Sequence, residues 1–112
     1  MEKIKIEGKR IYLYSHQIDM RMGMEKIQVL LSQNFSTSEL QDSILVFISR
    51  SRKIAKVYLE DEFGRWLMIR KLNYISFKIL RADEDGKLTS KDIGYLMDGA
   101  EIVSERKRIK YA

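Results

Sequence analysis

The sequence predicts an α+β domain in which two helices pack on one side of an antiparallel sheet of four to six strands. Apolar residues alternate with polar ones in three segments between residues 54 and 80, as they do in half-buried antiparallel strands. Two other segments, one in each half of the chain, carry apolar residues at the spacing of amphipathic helices. A continuously apolar run between them adds a central strand. The predicted order of elements is therefore β(β)–α–β–β–β–β–α.

The N-terminal third predicts one or two strands, a helix and a short helical turn. Gly8 lies among the β-branched and aromatic residues of KIKIEGKRIYLY, which favour strands. Asp19 precedes the first apolar stripe, and we expect its carboxylate to cap the helix by accepting backbone N–H groups. Ser36 and Glu39 have the spacing of a capping box, which predicts a short capped turn. The apolar stripe consists of Met20, Met24, Ile27 and Leu31.

The middle of the chain predicts one central strand and a meander of three half-buried strands. SILVFIS is continuously apolar, whereas IAKVYLE, RWLMIRKL and YISFKIL alternate with period two. The alternation assigns to the core Ala55, Val57, Leu59, Leu67, Ile69, Ile75, Phe77 and Ile79. It assigns to the opposite face Lys56, Tyr58, Trp66, Met68, Arg70, Tyr74 and Lys78.

The C-terminal third predicts the closing helix in LTSKDIGYLMDGA. Thr89 is its expected N-cap, and Gly99 suits its C-terminal end, where a left-handed backbone is needed. The apolar stripe of this helix consists of Ile93, Leu96, Met97 and Ala100.

Length and composition fit a single domain over residues 1–112, with a core at about residues 9–103 and a basic tail over residues 104–112. The chain contains no cysteine, which excludes disulfides and thiolate metal sites and is typical of the reducing cytoplasm. No apolar run approaches the roughly 20 residues that span a bilayer, and no signal-peptide pattern begins the chain. We therefore expect a cytoplasmic protein without membrane contact.

Charge and aromatic residues together predict a DNA-binding surface. Lys and Arg total 21 against 16 Asp and Glu, a net charge of +5 that favours polyanionic partners. Rings that stack on bases, beside cations that hold phosphates, are typical of nucleic-acid binders. The candidate residues are Arg50, Arg52, Lys53 and Lys56 of a basic turn, Tyr58 and Trp66 of the predicted solvent face, and the pair Arg70 and Lys71. A second basic cluster, in the tail, consists of Arg106, Lys107, Arg108 and Lys110.

Two alternatives to that surface follow from the same residues. The rings of Tyr58 and Trp66 can lie under helices or pair across strands, in which case they only stabilise the sheet. If they are exposed, they can instead form the centre of a protein–protein interface, where tryptophan, tyrosine and arginine are enriched.

Residue types with catalytic potential do not form a recognisable set. His16 is the only histidine, and no Ser/His/Asp signature surrounds it. Carboxylates occur in the turn-like stretches EDEFG and ADEDG, which include Asp61 and Asp85 and in which acidic residues are common for local reasons. We therefore predict no catalytic residue, metal, cofactor or small-molecule substrate, with a nuclease-like enzyme as the weaker alternative.

Four segments, read in order, resemble the small accessory protein called TnpB of the insertion-sequence-66 transposons. IYLYSHQIDMRMG is similar to the family's signature of a strand, Asp-Met-Arg and a glycine two residues later. ILVFISRSRKIAKV is similar to its apolar strand and basic turn, EDEFGRWLMIRKL to its acidic hairpin, and LTSKDIGYLMDGAE to its closing helix. The chain departs from the family pattern at Glu62, where glycine is common, and in SFKIL, which keeps only Phe77 of an Arg-Phe and Trp-Pro pattern.

The resemblance implies a non-catalytic accessory factor of DNA transposition, encoded beside a large transposase that carries out strand transfer. Its expected partners are DNA, such as the ends of the element, and that transposase. The alternative is an adaptor that docks on the transposase without binding DNA. Asp19, Met20, Arg21 and Gly23 match the family's most recognisable motif. We expect them to be structural, with Asp19 as a cap, Gly23 allowing close packing, and Arg21 paired or in solvent.

Overall fold

The described part of the computed structural model comprises residues 8–14 and 18–73 and the backbone of residues 101–104. These residues form five strands and two helices. The strands are β1 (Arg10–Leu13), β2 (Ser43–Ile48), β3 (Ile54–Asp61), β4 (Gly64–Lys71) and β5 (Glu101–Ser104), and the helices are α1 (Met24–Ser32) and α2 (Thr37–Gln41). The predicted strand YISFKIL, the helix predicted after Thr89, and residues 105–112 of the predicted tail lie outside the described residues.

The sheet has the strand order β1-β2-β3-β4-β5, which together with the helices confirms the α+β fold class. The β2–β3 and β3–β4 pairings are antiparallel, as predicted, and β4 also pairs antiparallel with β5. β1 instead pairs with β2 in parallel, so the sheet is mixed. Parallel neighbours need a long crossover, and here both helices lie between the two strands. β5, which pairs with β4, has no counterpart among the predicted strands.

Helix α1 begins at Met24, and the prediction that Asp19 caps it is wrong. The N-cap residue is Gly23, which has no side chain with which to accept a hydrogen bond. The Asp19 carboxylate is engaged elsewhere, because it accepts the backbone N–H and the side chain of Arg21. Three members of the predicted apolar stripe, Met24, Ile27 and Leu31, are buried in α1, whereas Met20 lies in the turn before the helix.

The predicted capping box at the start of α2 is confirmed. The backbone N–H of Glu39 donates to Ser36 Oγ at 3.1 Å, and the backbone N–H of Ser36 donates to Glu39 Oε1 at 3.0 Å. These bonds satisfy two donors that the first turn of a helix leaves unpaired. The bond from the Ser36 backbone, followed by the Ser36 hydroxyl, holds the pKa of Glu39 below its ordinary value of 4.5.

We expect Ser36→Ala to lower the free energy of unfolding by about 1 kcal/mol, because the cap is lost. Urea denaturation measures the change, with the exposed neighbour Thr37→Ala as the control, expected within about 0.5 kcal/mol of the parent. Because the folded pKa of Glu39 is depressed, its stabilising effect is present above pH 4.5 and is lost as pH falls through the folded pKa. An equal loss in both variants would contradict this account of the cap.

The hairpin between β3 and β4 corrects the predicted faces of these strands. A two-residue turn joins the strands, with Asp61 opposite Gly64, and this register places Val57 opposite Met68 and Leu59 opposite Trp66. Directly opposed residues of an antiparallel pair lie on the same face. Trp66 and Met68 therefore share a face with the odd-numbered residues of β3, and the predicted grouping of those residues with Leu67 and Ile69 is wrong.

The sheet carries a hydrophobic cluster on each face. One face packs against the helices, with Leu45, Phe47, Tyr58 and Leu67 from the sheet and Met24, Ile27, Leu31 and Leu40 from the helices. The other face gathers Ile11, Ile44, Val46, Ala55, Val57, Leu59, Trp66 and Met68. Because both faces bury apolar side chains, β2 and β3 are buried along most of their length.

Candidate nucleic-acid interface

The basic turn, Arg50–Lys53, lies in the five-residue segment 49–53 that joins β2 to β3. Ser49 closes it, because the Ser49 N–H donates to the Ile54 carbonyl at 2.9 Å and the Arg52 N–H donates to the Ser49 carbonyl at 2.9 Å. The Ser49 hydroxyl also accepts the N–H groups of Lys53 and Ile54, at 3.3 and 3.1 Å. Buried Ser49 therefore fixes the backbone of the loop at both ends.

Four cations lie exposed at this end of the sheet, and we call Arg50, Arg52, Lys53 and Lys71 the basic end. Lys71 joins the loop because it lies opposite Ile54 in the β3–β4 pairing. The next residue, Leu72, donates its N–H to the Lys53 carbonyl at 2.7 Å. The structure thus places three predicted cations of the basic turn beside Lys71, one member of the predicted pair Arg70 and Lys71. The other member of that pair, Arg70, is half-buried.

The predicted aromatic face is wrong, because both of its described rings are buried. Tyr58 is 0% exposed on the face that packs against the helices, and its hydroxyl donates to Glu60 Oε2. Burial, followed by that hydrogen bond, raises the pKa of Tyr58. Trp66 is 8% exposed on the opposite face, and its Nε1 donates to Asp61 Oδ2 at 3.2 Å. The two rings lie on opposite faces of the sheet and do not form a common stacking surface.

Lys56 is also buried, so the prediction that it faces solvent is wrong. It is 5% exposed, and its Nζ donates to the Met22 carbonyl at 2.7 Å. Burial lowers the pKa of Lys56, the charge of Lys71 lowers it further, and the charge of Asp19 partly offsets these effects. The side chain therefore joins β3 to the segment that precedes α1.

That segment contains the Asp-Met-Arg motif in an ordered turn. The Met22 N–H donates to the Asp19 carbonyl at 3.0 Å, and Arg21 Nη2 lies 2.8 Å from Asp19 Oδ2. The side-chain and backbone hydrogen bonds from Arg21 lower the pKa of Asp19 to about 2. Met20 packs against the helix-side cluster. The motif is thus locally structured, although Asp19 stabilises a turn and not the helix.

The prediction that Gly23 allows close packing has no support among the described residues. Within the described part of the chain, nothing lies within 4 Å of the position that a Cβ would take. Its φ of −87° is accessible to any residue. The described geometry therefore gives no steric reason for glycine at this position.

Asp61, one of the carboxylates in the turn-like stretches, has a structural role. Asp61 Oδ1 accepts the N–H groups of Phe63 and Gly64, at 2.8 and 2.9 Å, and thereby fixes the β3–β4 turn. No group of three metal-ligating side chains occurs among residues 8–14 and 18–73. His16 and the acidic stretch at residues 83–85 lie outside the described residues, as do Tyr74, Lys78 and the four predicted tail cations.

Phe63, which the sequence reasoning did not single out, lies at the tip of the β3–β4 turn with 67% of its surface exposed. Its neighbours Asp61 and Glu62 make the tip of this turn acidic. Because β3 has eight residues, the acidic tip lies roughly 25 Å from the basic end. The signal was present in the sequence, since a two-residue turn between paired strands places its side chains in solvent.

Taken together, these features define a small α+β domain with a compact basic surface at one end of its sheet. A family model described as IS66 Orf2 like protein matches residues 9–107. The chain therefore belongs to this family of transposition accessory proteins, as the ordered segments indicated. No curated protein matches the chain significantly, and no solved structure does. In the part of the chain that the structure describes, no helix is long and apolar enough to cross a membrane.

Proposed function

We propose that this protein binds DNA during transposition of its element, with the basic end as the contact surface. The observation that carries the proposal is the concentration of exposed cations on the loop at Arg50–Lys53. Phosphate contacts from Lys and Arg supply most of the sequence-independent affinity for DNA. The proposal places the protein in the cytoplasm with the element's DNA and assigns strand cleavage and joining to the larger transposase.

The backbone conformation of Arg52 supports a functional role for its side chain. Its φ is +59°, in the left-handed region, which non-glycine residues adopt uncommonly. Glycine would adopt this conformation without strain. Arginine at this position costs some stability and places an exposed guanidinium on the loop, which is consistent with a role in binding.

The burial of Tyr58 and Trp66 favours duplex DNA over single-stranded DNA as the ligand. Single strands bind proteins largely by stacking on exposed rings, and these two rings are buried in the sheet. We therefore propose a duplex ligand, held through its phosphates. The test is a fluorescence titration of duplex and single-stranded DNA of the same sequence at several salt concentrations. We expect duplex affinity at least equal to single-strand affinity and falling with salt, whereas strong single-strand preference would contradict the proposal.

We expect the purified protein to leave supercoiled plasmid intact in magnesium or manganese. Asp61, one of the candidate carboxylates, already accepts three hydrogen bonds from its own hairpin. Gel electrophoresis of the plasmid after incubation measures nicking. Cleavage that disappears on changing Asp61 or Asp85 would show that the protein is a nuclease.

A second candidate function, docking on the transposase, is supported by Phe63. An aromatic side chain held in solvent by a rigid turn is a suitable anchor for a protein interface. We expect Phe63→Ser to reduce co-purification with the transposase at least tenfold if docking occurs here, with no effect on DNA affinity. Val29→Ser, which removes an exposed apolar side chain from α1, is the control. Unchanged co-purification in Phe63→Ser would exclude this tip as the docking site.

A further inference from the structure

The turn that contains Arg21 lies at the same end of the sheet as the basic turn. β1 runs parallel to β2, so the chain leaves β1 at the end where β2 enters the basic turn. The buried Nζ of Lys56 then holds the Met22 carbonyl against β3. Lys71 of the basic end and Asp19 of the turn both lie near enough to shift the pKa of Lys56, Lys71 lowering it and Asp19 raising it.

Asp19 fixes the orientation of the Arg21 guanidinium. Arg21 Nε donates to Asp19 Oδ1 at 3.0 Å, and Nη2 donates to Oδ2 at 2.8 Å. The same carboxylate accepts the Arg21 backbone N–H at 2.9 Å, so side chain and backbone are held together. A guanidinium has five N–H donors, and this pairing uses two of them. The remaining three belong to Nη1 and Nη2, at the outer end of a residue whose side chain is 91% exposed.

An orienting carboxylate has little value for stability or for a phosphate contact. An ion pair this exposed contributes little to folding, because water and salt screen it. A phosphate contact needs positive charge and tolerates many orientations, and Asp19 cancels the charge of Arg21. Recognition of a base edge depends instead on a fixed orientation, because two N–H donors must meet two acceptors in one plane.

We propose that Arg21 reads a guanine in the major groove of duplex DNA bound at the basic end. Its outer N–H groups would donate to the O6 and N7 atoms of the base, the commonest contact by which arginine distinguishes guanine. Asp19 and Lys56 are positioning residues, the first for the guanidinium and the second for the turn. The inference rests on the proposed binding of duplex DNA by the basic end, and it adds sequence preference to that function.

The test is selection from a pool of randomised 20-base-pair duplexes, followed by titration of the selected duplex and of unselected pool DNA. We expect the parent protein to enrich a sequence with a fixed guanine. Arg21→Ala should lose that guanine and bind the selected duplex about 5- to 150-fold more weakly, with little change in affinity for pool DNA. Arg21→Lys keeps the charge without the planar fork and should also lose discrimination. Lys26→Ala, an exposed cation on α1, is the control and should retain it.

Asp19→Ala is expected to have opposite effects on the affinity for pool DNA and on the preference for the selected duplex. Freeing the Arg21 charge should strengthen binding to pool DNA, whereas loss of orientation should weaken the preference for the selected duplex. A purely structural pair would change both affinities in the same direction, and that outcome would overturn the inference. Thermal melting of each variant checks that the fold is retained.

Three results separate this inference from the function on which it rests. If Arg21→Ala enriches the same guanine as the parent, Arg21 does not read the base. If the parent enriches no sequence while Arg52→Gly weakens binding, DNA binding stands and the inference of base reading fails. If the parent does not bind duplex DNA, both the inference and the proposed function fail.

Discussion

Replacing Trp66 by alanine is expected to lower the free energy of unfolding by about 3–5 kcal/mol. Trp66 is 8% exposed and packs with Val57, Leu59 and Met68 on one face of the sheet. Truncation leaves a cavity in that cluster and removes the hydrogen bond from Nε1 to Asp61. A domain of this size has roughly 5–15 kcal/mol of total stability, so this loss removes a large share of it, and the melting temperature is expected to fall markedly.

Phe63→Ala is the matched control for Trp66→Ala, because it removes an aromatic ring from the same hairpin. Phe63 is 67% exposed, and we expect a change within about 0.5 kcal/mol. Chemical denaturation, monitored by circular dichroism, measures the free energy of unfolding of both variants. If Trp66→Ala instead keeps its stability and loses DNA binding, the ring is accessible in solution and the buried arrangement is incorrect.

Removing the three cations of the basic turn is expected to have the largest effect on DNA binding. The triple variant Arg50→Ala, Arg52→Gly and Lys53→Ala loses roughly a hundred-fold in duplex affinity at about 0.15 M salt, if each cation makes a full phosphate contact. Exposed loop residues carry little of the core, and glycine suits the left-handed backbone at position 52. We therefore expect the melting temperature to change by only a few degrees. Wild-type affinity in a folded triple variant would place the DNA surface elsewhere.

Short sequence motifs predicted local structure correctly where their side chains had a single short-range hydrogen-bonding arrangement. The Ser36–Glu39 capping box depends on two side chains three residues apart, and it forms as predicted. Asp19 had two local options, a helix cap and a turn with Arg21, and the second prevails. The sequence pattern alone does not decide between two such short-range hydrogen-bonding arrangements.

The faces of β3 and β4 were not predictable from alternation alone. Alternation groups residues within one strand, but the register between strands is set by the turn, and a one-residue shift reverses every side chain. With a turn of two residues, Leu67 shares a face with Tyr58, not with Val57. The predicted aromatic face depended on that register and on an uncovered sheet surface. By contrast, the exposure of Arg50, Arg52 and Lys53 follows from their place in a loop.

The parallel position of β1 depends on long-range pairing, which hydrophobic periodicity does not report. Arg10 pairs with Ser43, although both helices lie between these two residues in the sequence. This pairing brings the turn with Arg21 to the basic end, a proximity that no short stretch of sequence indicates. It also leaves Arg10 at the opposite end of the sheet, where its charge acts on Glu39.

The central claim, that phosphates bind at the basic end, is tested most directly by the salt dependence of duplex binding. The logarithm of the association constant is measured against the logarithm of salt concentration for the parent, the triple variant and Arg10→Ala. We expect the triple variant to reduce the slope by about 2–3, since each full phosphate contact contributes about 0.9. Arg10→Ala, an exposed arginine at the other end of the sheet, should leave the slope unchanged. Equal slopes in the parent and the triple variant would contradict the claim.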